Sequence, residues 1–359
     1  MQIIYCSLCD VKYLILHKNN QNNQIMKKRI AINGFGRIGR LTFRNLILRD
    51  DVEIVAINDL TDNKTLAHLL KYDSAHGRFN GTVEYTDNQL IVNGKAIHAL
   101  AVRNPTELPW AAHNIDVVLE CTGLFLNREG AGMHLKAGAK KVLISAPAKG
   151  DDIPTIVIGV NHETLTGEET IISNASCTTN CLAPMVKVIE DNWTIVQGAM
   201  TTTHAYTQDQ RLQDAPHADL RRARAAAFSI IPTSTGAASA LKLVIPSVKN
   251  KISAISFRVP IATGSVTELN VWVEKPVTRE EVLAKFKAAA EGSMKNVLEF
   301  CTDEIVSADI INSTYSCVLD TDLIQVNGQI IKLIGWYDNE SGYSARLADL
   351  AAMVKVPTA

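Results

Sequence analysis

Residues 30–40 read IAINGFGRIGR, and this stretch constrains the fold more than any other. A short apolar run enters three glycines, Gly34, Gly36 and Gly39, in the spacing G-x-G-x-x-G. The chain leaves them with Ile38, Leu41, Phe43, Leu46 and Ile47 spaced toward one helical face. A strand, a glycine turn and a helix in that order suit a phosphate group. The first glycine allows the tight turn, the second lets a pyrophosphate approach the backbone, and the third lets helix and strand pack closely. The helix start adds free N–H groups and partial positive charge. The next strand, VEIVAIND, ends on Asp59, twenty residues after Gly39. A carboxylate there accepts hydrogen bonds from ribose hydroxyls and repels a 2′-phosphate, which favours NAD over NADP.

The runs IDVVLECTG and KKVLISAP continue the alternation of strand and helix, so the first half reads as an α/β Rossmann domain with a parallel sheet. After Cys181 the rhythm changes. TIVQGAMTTTHAY, SAISFRVPIAT and VTELNVWVEKP read as longer strands with no helix between them. TREEVLAKFKAAAEG is an amphipathic helix opening on Thr278 and closing on Gly292. The second half therefore reads as an α+β catalytic domain on a mixed or antiparallel sheet, with helices on one side. The expected division is an NAD-binding domain over 27–174 and a catalytic domain over 175–340, with a C-terminal helix, 341–359, packing back on the first domain. The polar stretch 204–224 follows neither period and is expected to be a long functional loop.

A formal net charge of −1 argues against nucleic acid or membrane as the primary partner. No segment holds the apolar run that a membrane span needs. Seven cysteines in a chain of this length read as reduced thiols in a cytoplasmic protein. Residues 1–26 lack the pattern of a signal peptide and turn polar at HKNNQNNQ, so they are expected to be a disordered or non-native extension, with Met26 as the effective start. The Cys6-x-x-Cys9 pair inside it has no second pair to complete a zinc site, and no metal is expected.

The chemistry points to NASCTTNC, residues 174–181. Cys177 and Cys181 stand four apart among hydroxyl and amide side chains. A helix starting near Cys177 would favour its thiolate and put Cys181 one turn in, as a packed neighbour. A nucleophilic cysteine also needs a base, and His204 in TTTHAYTQDQR is the candidate.

Taken with INGFGRIGR, the segments SNASCTTNC, HAYTQDQR, DLRRARAAA, IIPTSTGAA, FRVP and WYDNESGYS resemble the phosphorylating glyceraldehyde-3-phosphate dehydrogenases, in order from about residue 28 to the C-terminus. The resemblance implies Cys177 as nucleophile and His204 as base. It implies a substrate-phosphate site at Thr207, Asp209 and Arg258, and an inorganic-phosphate site at Ser176, Thr178, Arg222, Thr235 and Gly236. It implies NAD contacts at Arg37, Ile38, Asp59, Arg103, Ser145, Asn339 and Tyr343, with Asn339 on the carboxamide, and a homotetramer acting on glyceraldehyde 3-phosphate and phosphate. Arg221 and Arg224 read as a solvated basic face. Ala215 replaces the leucine that often precedes the proline matching Pro216, and FRVPIATGS departs from the usual RVPTPNVS. The alternatives are an erythrose-4-phosphate dehydrogenase, a cysteine acyl hydrolase, for which the dinucleotide turn has no use, and an NAD-binding regulatory protein.

Overall fold

The computed structural model describes residues 27–356, so the expected extension over 1–26, with Cys6 and Cys9, lies outside the described residues. The first sheet contains β1 (Lys28–Asn33), β2 (Val52–Asn58), β3 (Val83–Tyr85), β4 (Gln89–Val92), β5 (Lys95–Leu100), β6 (Val117–Glu120), β7 (Lys141–Ile144) and β8 (Ile171–Ser173). Their spatial order is β3-β4-β5-β2-β1-β6-β7-β8. The run from β5 to β8 is parallel, and only the β3–β4–β5 edge is antiparallel. The central strands are buried on both faces, which is why β1 and β6 read as continuous apolar runs rather than alternating ones. The order reverses between β1 and β6, so the crevice at the carboxyl ends of these strands is the binding position of an open parallel sheet.

Helix α1 (Arg37–Leu46) follows β1, α2 (Asn63–Lys71) follows β2, and α3 (Arg128–Lys136) follows β6. Helix α4 (Cys177–Trp193) leaves the last strand of this sheet and is buried along most of its length. The second sheet contains β9 (Ile195–Ala205), β10 (Ile231–Thr233), β11 (Ile252–Val259), β12 (Ser265–Val273), β13 (Leu298–Cys301), β14 (Cys317–Asp320), β15 (Gln325–Asn327) and β16 (Ile330–Tyr337). It runs β10-β11-β9-β12-β16-β14-β13, with β15 paired to β16. Only β9–β11 and β13–β14 are parallel. Strand β12 alternates buried and half-buried residues, so one face carries the core and the other is open.

The second half contains a helix that the sequence pattern did not reveal. Helix α5 (Ala237–Val244) falls between β10 and β11. It buries Ala237, Ala240, Leu241 and Val244 at helical spacing, but its eight residues are too few for the period to stand out. Helix α6 (Arg279–Glu291) is held by a capping box, Thr278 with Glu281. Helix α7 (Ser341–Met353) lies against the first domain, where Lys28 Nζ donates to the carbonyls of Ala351, Ala352 and Val354 at its C-terminal end, at 3.0, 2.5 and 2.7 Å.

Candidate active site

The glycine turn lies between β1 and α1, and its three glycines differ in what surrounds them. Gly34 has φ +90°, and a Cβ there would sit 2.7 Å from the Cys121 backbone. A Cβ on Gly39 would meet the Gly34 carbonyl at 2.2 Å, so this position allows strand and helix to approach. A Cβ on Gly36 would meet no protein atom within 4 Å. That open side, together with a helix start without a side-chain cap, is the cradle that a pyrophosphate needs. Asp59 is bound into the same turn. Its Oδ2 accepts from the Phe35 amide at 2.8 Å and its Oδ1 from the Thr61 amide at 3.0 Å. The residues therefore fit a dinucleotide with a free 2′-hydroxyl. Arg103 is exposed on the loop after β5, one residue beyond Val102, whose amide and carbonyl both bond the Asn58 side chain.

The Arg37 guanidinium is committed within the protein. Nε reaches both Glu340 oxygens at 3.0 and 3.1 Å, and Nη1 reaches Asp73 at 2.5 Å. What Arg37 can offer a ligand is therefore its backbone at the helix start. Beside it, His76 Nε2 lies 2.9 Å from Asp338 and Nδ1 lies 3.5 Å from Asp73. Burial disfavours the imidazolium, but Asp338, Asp73 and Glu340 outweigh it and raise the His76 pKa to about 9. Arg37 Nη2 is 3.0 Å from His76 Nδ1. With Asp338, Asp73 and Glu340 around the ring, we assign the imidazole as protonated, and this contact as two donors turned toward the shared acceptors Asp73 and Glu340.

Ser176 caps α4, accepting from the Thr179 amide at 3.1 Å, and Cys177 is the first helical residue. Ala175 just before it has φ +56°, a left-handed bend unusual for alanine. The Tyr343 hydroxyl donates to the Ala175 carbonyl at 3.0 Å and fixes that bend. His204 comes from β9, and Arg258 stands opposite it on β11. Cys177 Sγ is 3.5 Å from His204 Nε2. His204 Nδ1 lies 2.7 Å from the Ala205 carbonyl, so Nδ1–H donates there and the Nε2 lone pair faces the thiol. Arg258 Nη1 donates to the same carbonyl at 3.1 Å and stands 2.9 Å from Nδ1. Burial, with Arg258 adding to it, lowers the His204 pKa to about 3, so the imidazole is neutral.

The thiol differs from the sequence expectation in one respect. Burial raises its pKa, while Arg258, the Thr178 hydroxyl and the amides of Thr178 and Cys177 pull the other way without reversing it. The helix start is where the sequence put it, but desolvation outweighs it. Cys181 is fully buried one turn on, with its sulfur 3.5 Å from the Gly335 carbonyl.

A cleft of about 680 Å³ joins the two halves, and Arg37, Ile38, Ser145, Ser176, Cys177, His204, Thr207, Asn339 and Tyr343 line it. Asn339 is oriented by a chain of bonds. The Ala205 amide donates to Ser265 Oγ at 3.1 Å, and Ser265 Oγ donates to Asn339 Oδ1 at 2.9 Å. This leaves the Asn339 Nδ2 protons for a ligand. Of the residues that the resemblance assigned to the two anion sites, Ser176 and Thr207 line the cleft, and Thr178, Asp209, Arg222, Thr235, Gly236 and Arg258 do not. Thr207 donates to Asp209, Asp209 pairs with Arg222 at 2.7 Å, and Arg222 Nε donates to Thr233 at 2.9 Å. Arg222 and Asp209, which the resemblance divided between two anion sites, thus form one ion pair here. Thr235 and Gly236 precede α5, where Thr235 Oγ1 accepts from the Ala237 amide at 3.3 Å. Thr178 is buried, with its hydroxyl 2.9 Å from that of Tyr337.

Sequence reasoning missed Tyr337, whose ring packs edge-on to His204 and whose hydroxyl meets Thr178 and Thr202. It also missed Tyr206, Gln208, Gln210 and Leu212 on the cleft wall, and the carboxylates on either side of Asn339. The segment WYDNESGYS contained Asp338 and Glu340, but their partners, Arg37 and His76, lie far away in the sequence.

A dinucleotide cradle that opens onto a cysteine–histidine pair defines an NAD-dependent oxidoreductase. Two family models match the chain: the NAD binding domain of glyceraldehyde 3-phosphate dehydrogenase over residues 28–128, and the C-terminal domain of glyceraldehyde 3-phosphate dehydrogenase over residues 176–339. The glyceraldehyde-3-phosphate dehydrogenase of Mycobacterium avium is 54% identical over 336 residues, covering 92% of this chain and 99% of its own. That of Geobacillus stearothermophilus is 53% identical over 331 residues, covering 92% and 98%. That of Mycobacterium tuberculosis is 55% identical over 336 residues, covering 92% and 99%. The chain belongs to the glyceraldehyde-3-phosphate dehydrogenase family. The comparisons favour neither the erythrose-4-phosphate reading nor the hydrolase and regulatory readings.

Proposed function

We propose that this enzyme oxidises D-glyceraldehyde 3-phosphate with NAD and inorganic phosphate to 1,3-bisphosphoglycerate, through a thioester on Cys177. The observation that carries this reading is the 3.5 Å approach of Cys177 Sγ to His204 Nε2 within the cleft that the glycine turn enters. Sγ adds to the aldehyde carbon, and the thiol proton passes by way of Nε2 to the carbonyl oxygen, giving a hemithioacetal. His204 Nε2 then takes the hydroxyl proton, which its neutral state and inward lone pair allow. NAD, when bound, accepts the hydride that leaves C1. Asn339, with Oδ1 held by Ser265, would donate Nδ2 to the carboxamide of bound NAD and set which ring face meets the substrate. Arg258 and Thr207 hold the substrate phosphate. Ser176, Thr178, Arg222, Thr235 and Gly236 receive the phosphate that attacks the thioester, giving the acyl phosphate and returning the thiol. Arginine forks with hydroxyl and amide donors suit such anions. Arg222 would exchange its bond to Asp209 for one to phosphate.

The same reading includes a homotetramer in the cytoplasm. The loop between β9 and β10 exposes Leu212, Leu220, Phe228 and Ile230, apolar side chains that a second copy of the chain would cover. The five cysteines among the described residues are all free, as in a reducing compartment. No helix among the described residues is long and apolar enough to cross a membrane.

Stopped-flow mixing with NAD and aldehyde tests the chemistry. Without phosphate, a burst of NADH near one per site should precede slow turnover, and phosphate should restore the fast rate. Arg222→Leu should blunt the restoration while sparing the burst, and Cys177→Ser should abolish the burst. Fast steady turnover with no phosphate would make water the acyl acceptor and overturn the phosphorylating assignment.

A further inference from the structure

Asn339 stands between two carboxylates, and both are tied to the dinucleotide half. Glu340 is held by Arg37, the first residue of α1. Asp338 is held by His76, on the loop after α2, at 2.9 Å. Asp73 joins the two, taking Arg37 at 2.5 Å and the His76 amide at 3.0 Å. The His76 and Asp338 side chains are 1% and 0% exposed, so water cannot replace this bond when it breaks. Asp338 also accepts from Thr263 Oγ1 at 2.8 Å and from the amides of Glu340, Ser341 and Asn312 at 3.0, 2.9 and 2.9 Å. The segment 338–340 therefore has no free joint. One end of the network is the helix start that would face the pyrophosphate of bound NAD, and the other is the Asn339 amide that would face its carboxamide.

We infer that His76 is a positioning residue for the cofactor: with Arg37 it sets the span between the phosphate turn and Asn339, and hence the depth of the nicotinamide ring over Cys177. Neither side chain needs to touch the ring for this. The inference rests on the assignment of Asn339 to the carboxamide. A misplacement of the reacting groups by about 1 Å can cost roughly a hundredfold in rate, so a rigid span matters to hydride transfer.

The test compares NAD with its thionicotinamide analogue, whose sulfur accepts a hydrogen bond poorly. The wild type should prefer NAD in kcat/KM, and Asn339→Ala should remove most of that preference. His76→Leu should raise the NAD KM roughly tenfold and shrink the preference toward the Asn339→Ala value. His76→Gln, which keeps a donor for Asp338, should recover part of both. Glu340→Gln, a milder change in the same network, should move the ratio in the same direction and serves if His76→Leu does not fold. Iodoacetamide labelling of Cys177 should stay at the wild-type rate in every variant. A purely structural role would lower the melting temperature and leave the cofactor ratio intact. That result, with Asn339→Ala still sensitive, overturns the inference alone. A ratio unmoved by Asn339→Ala overturns the carboxamide assignment and the inference with it.

Discussion

Cys177 Sγ and His204 Nε2 lie 3.5 Å apart although one side chain starts a helix and the other ends a strand. The pair exists because α4 begins where the first sheet stops and β9 returns to the same point from the second sheet. Cys177 alone among the five described cysteines lines the cleft.

Brief treatment with iodoacetamide, followed by peptide mapping, should therefore label Cys177 ahead of Cys181, Cys301 and Cys317, which are buried, and ahead of Cys121, whose thiol burial holds up to about 12. His204→Asn should leave the fold and the NAD affinity intact and slow the NADH burst by about 10²–10⁴-fold. Preferential labelling of Cys181 would place the nucleophile elsewhere.

The glycine turn offers a paired test. Gly36→Ala adds a methyl group where no protein atom lies within 4 Å, so the melting temperature should hold while the NAD KM rises. Gly39→Ala drives a methyl group to 2.2 Å from the Gly34 carbonyl and should lower stability itself, by about 1–3 kcal/mol. Equal losses of stability in both variants would mean that Gly36 serves packing rather than a ligand.

His76 predicts a pH dependence of stability. Its folded pKa of about 9 lies above the ordinary histidine value of 6.5. The contribution is therefore fully present below pH 6.5 and is lost as the pH rises through 9. Urea midpoints measured from pH 6.5 to 9.5 should fall across that window, by an amount that His76→Gln largely removes. A wild-type curve parallel to that of His76→Gln would show that the imidazole is neutral in the fold.

The parts of this protein that were legible in its sequence are those whose logic is local. Gly34, Gly36 and Gly39 carry their meaning in six residues, and Asp59 is one strand away. The helix start at Cys177 could be read from Ser176 and the small polar residues after it. The Arg37–Glu340 and His76–Asp338 bonds could not be read that way, because their partners are 303 and 262 residues apart. Arg37 stood as an NAD contact only through the family resemblance, and in the fold Asp73 and Glu340 take its guanidinium. Likewise the lowered thiol pKa expected from the helix start gave way to desolvation, which depends on what the rest of the chain packs over Cys177.

The closure of α7 onto the first strand bears on how this chain is made. Lys28 donates to three carbonyls at the end of a helix more than 320 residues downstream. During synthesis at about 5–20 residues per second, the first strand emerges at least several seconds before the helix that completes its domain. The α1 surface that α7 covers is bare for that interval, and the dinucleotide crevice lacks Asn339 until the second sheet has formed. A ribosome-bound fragment ending before residue 330 should therefore recruit holdase chaperones and bind NAD poorly, and release of the full chain should end both conditions together.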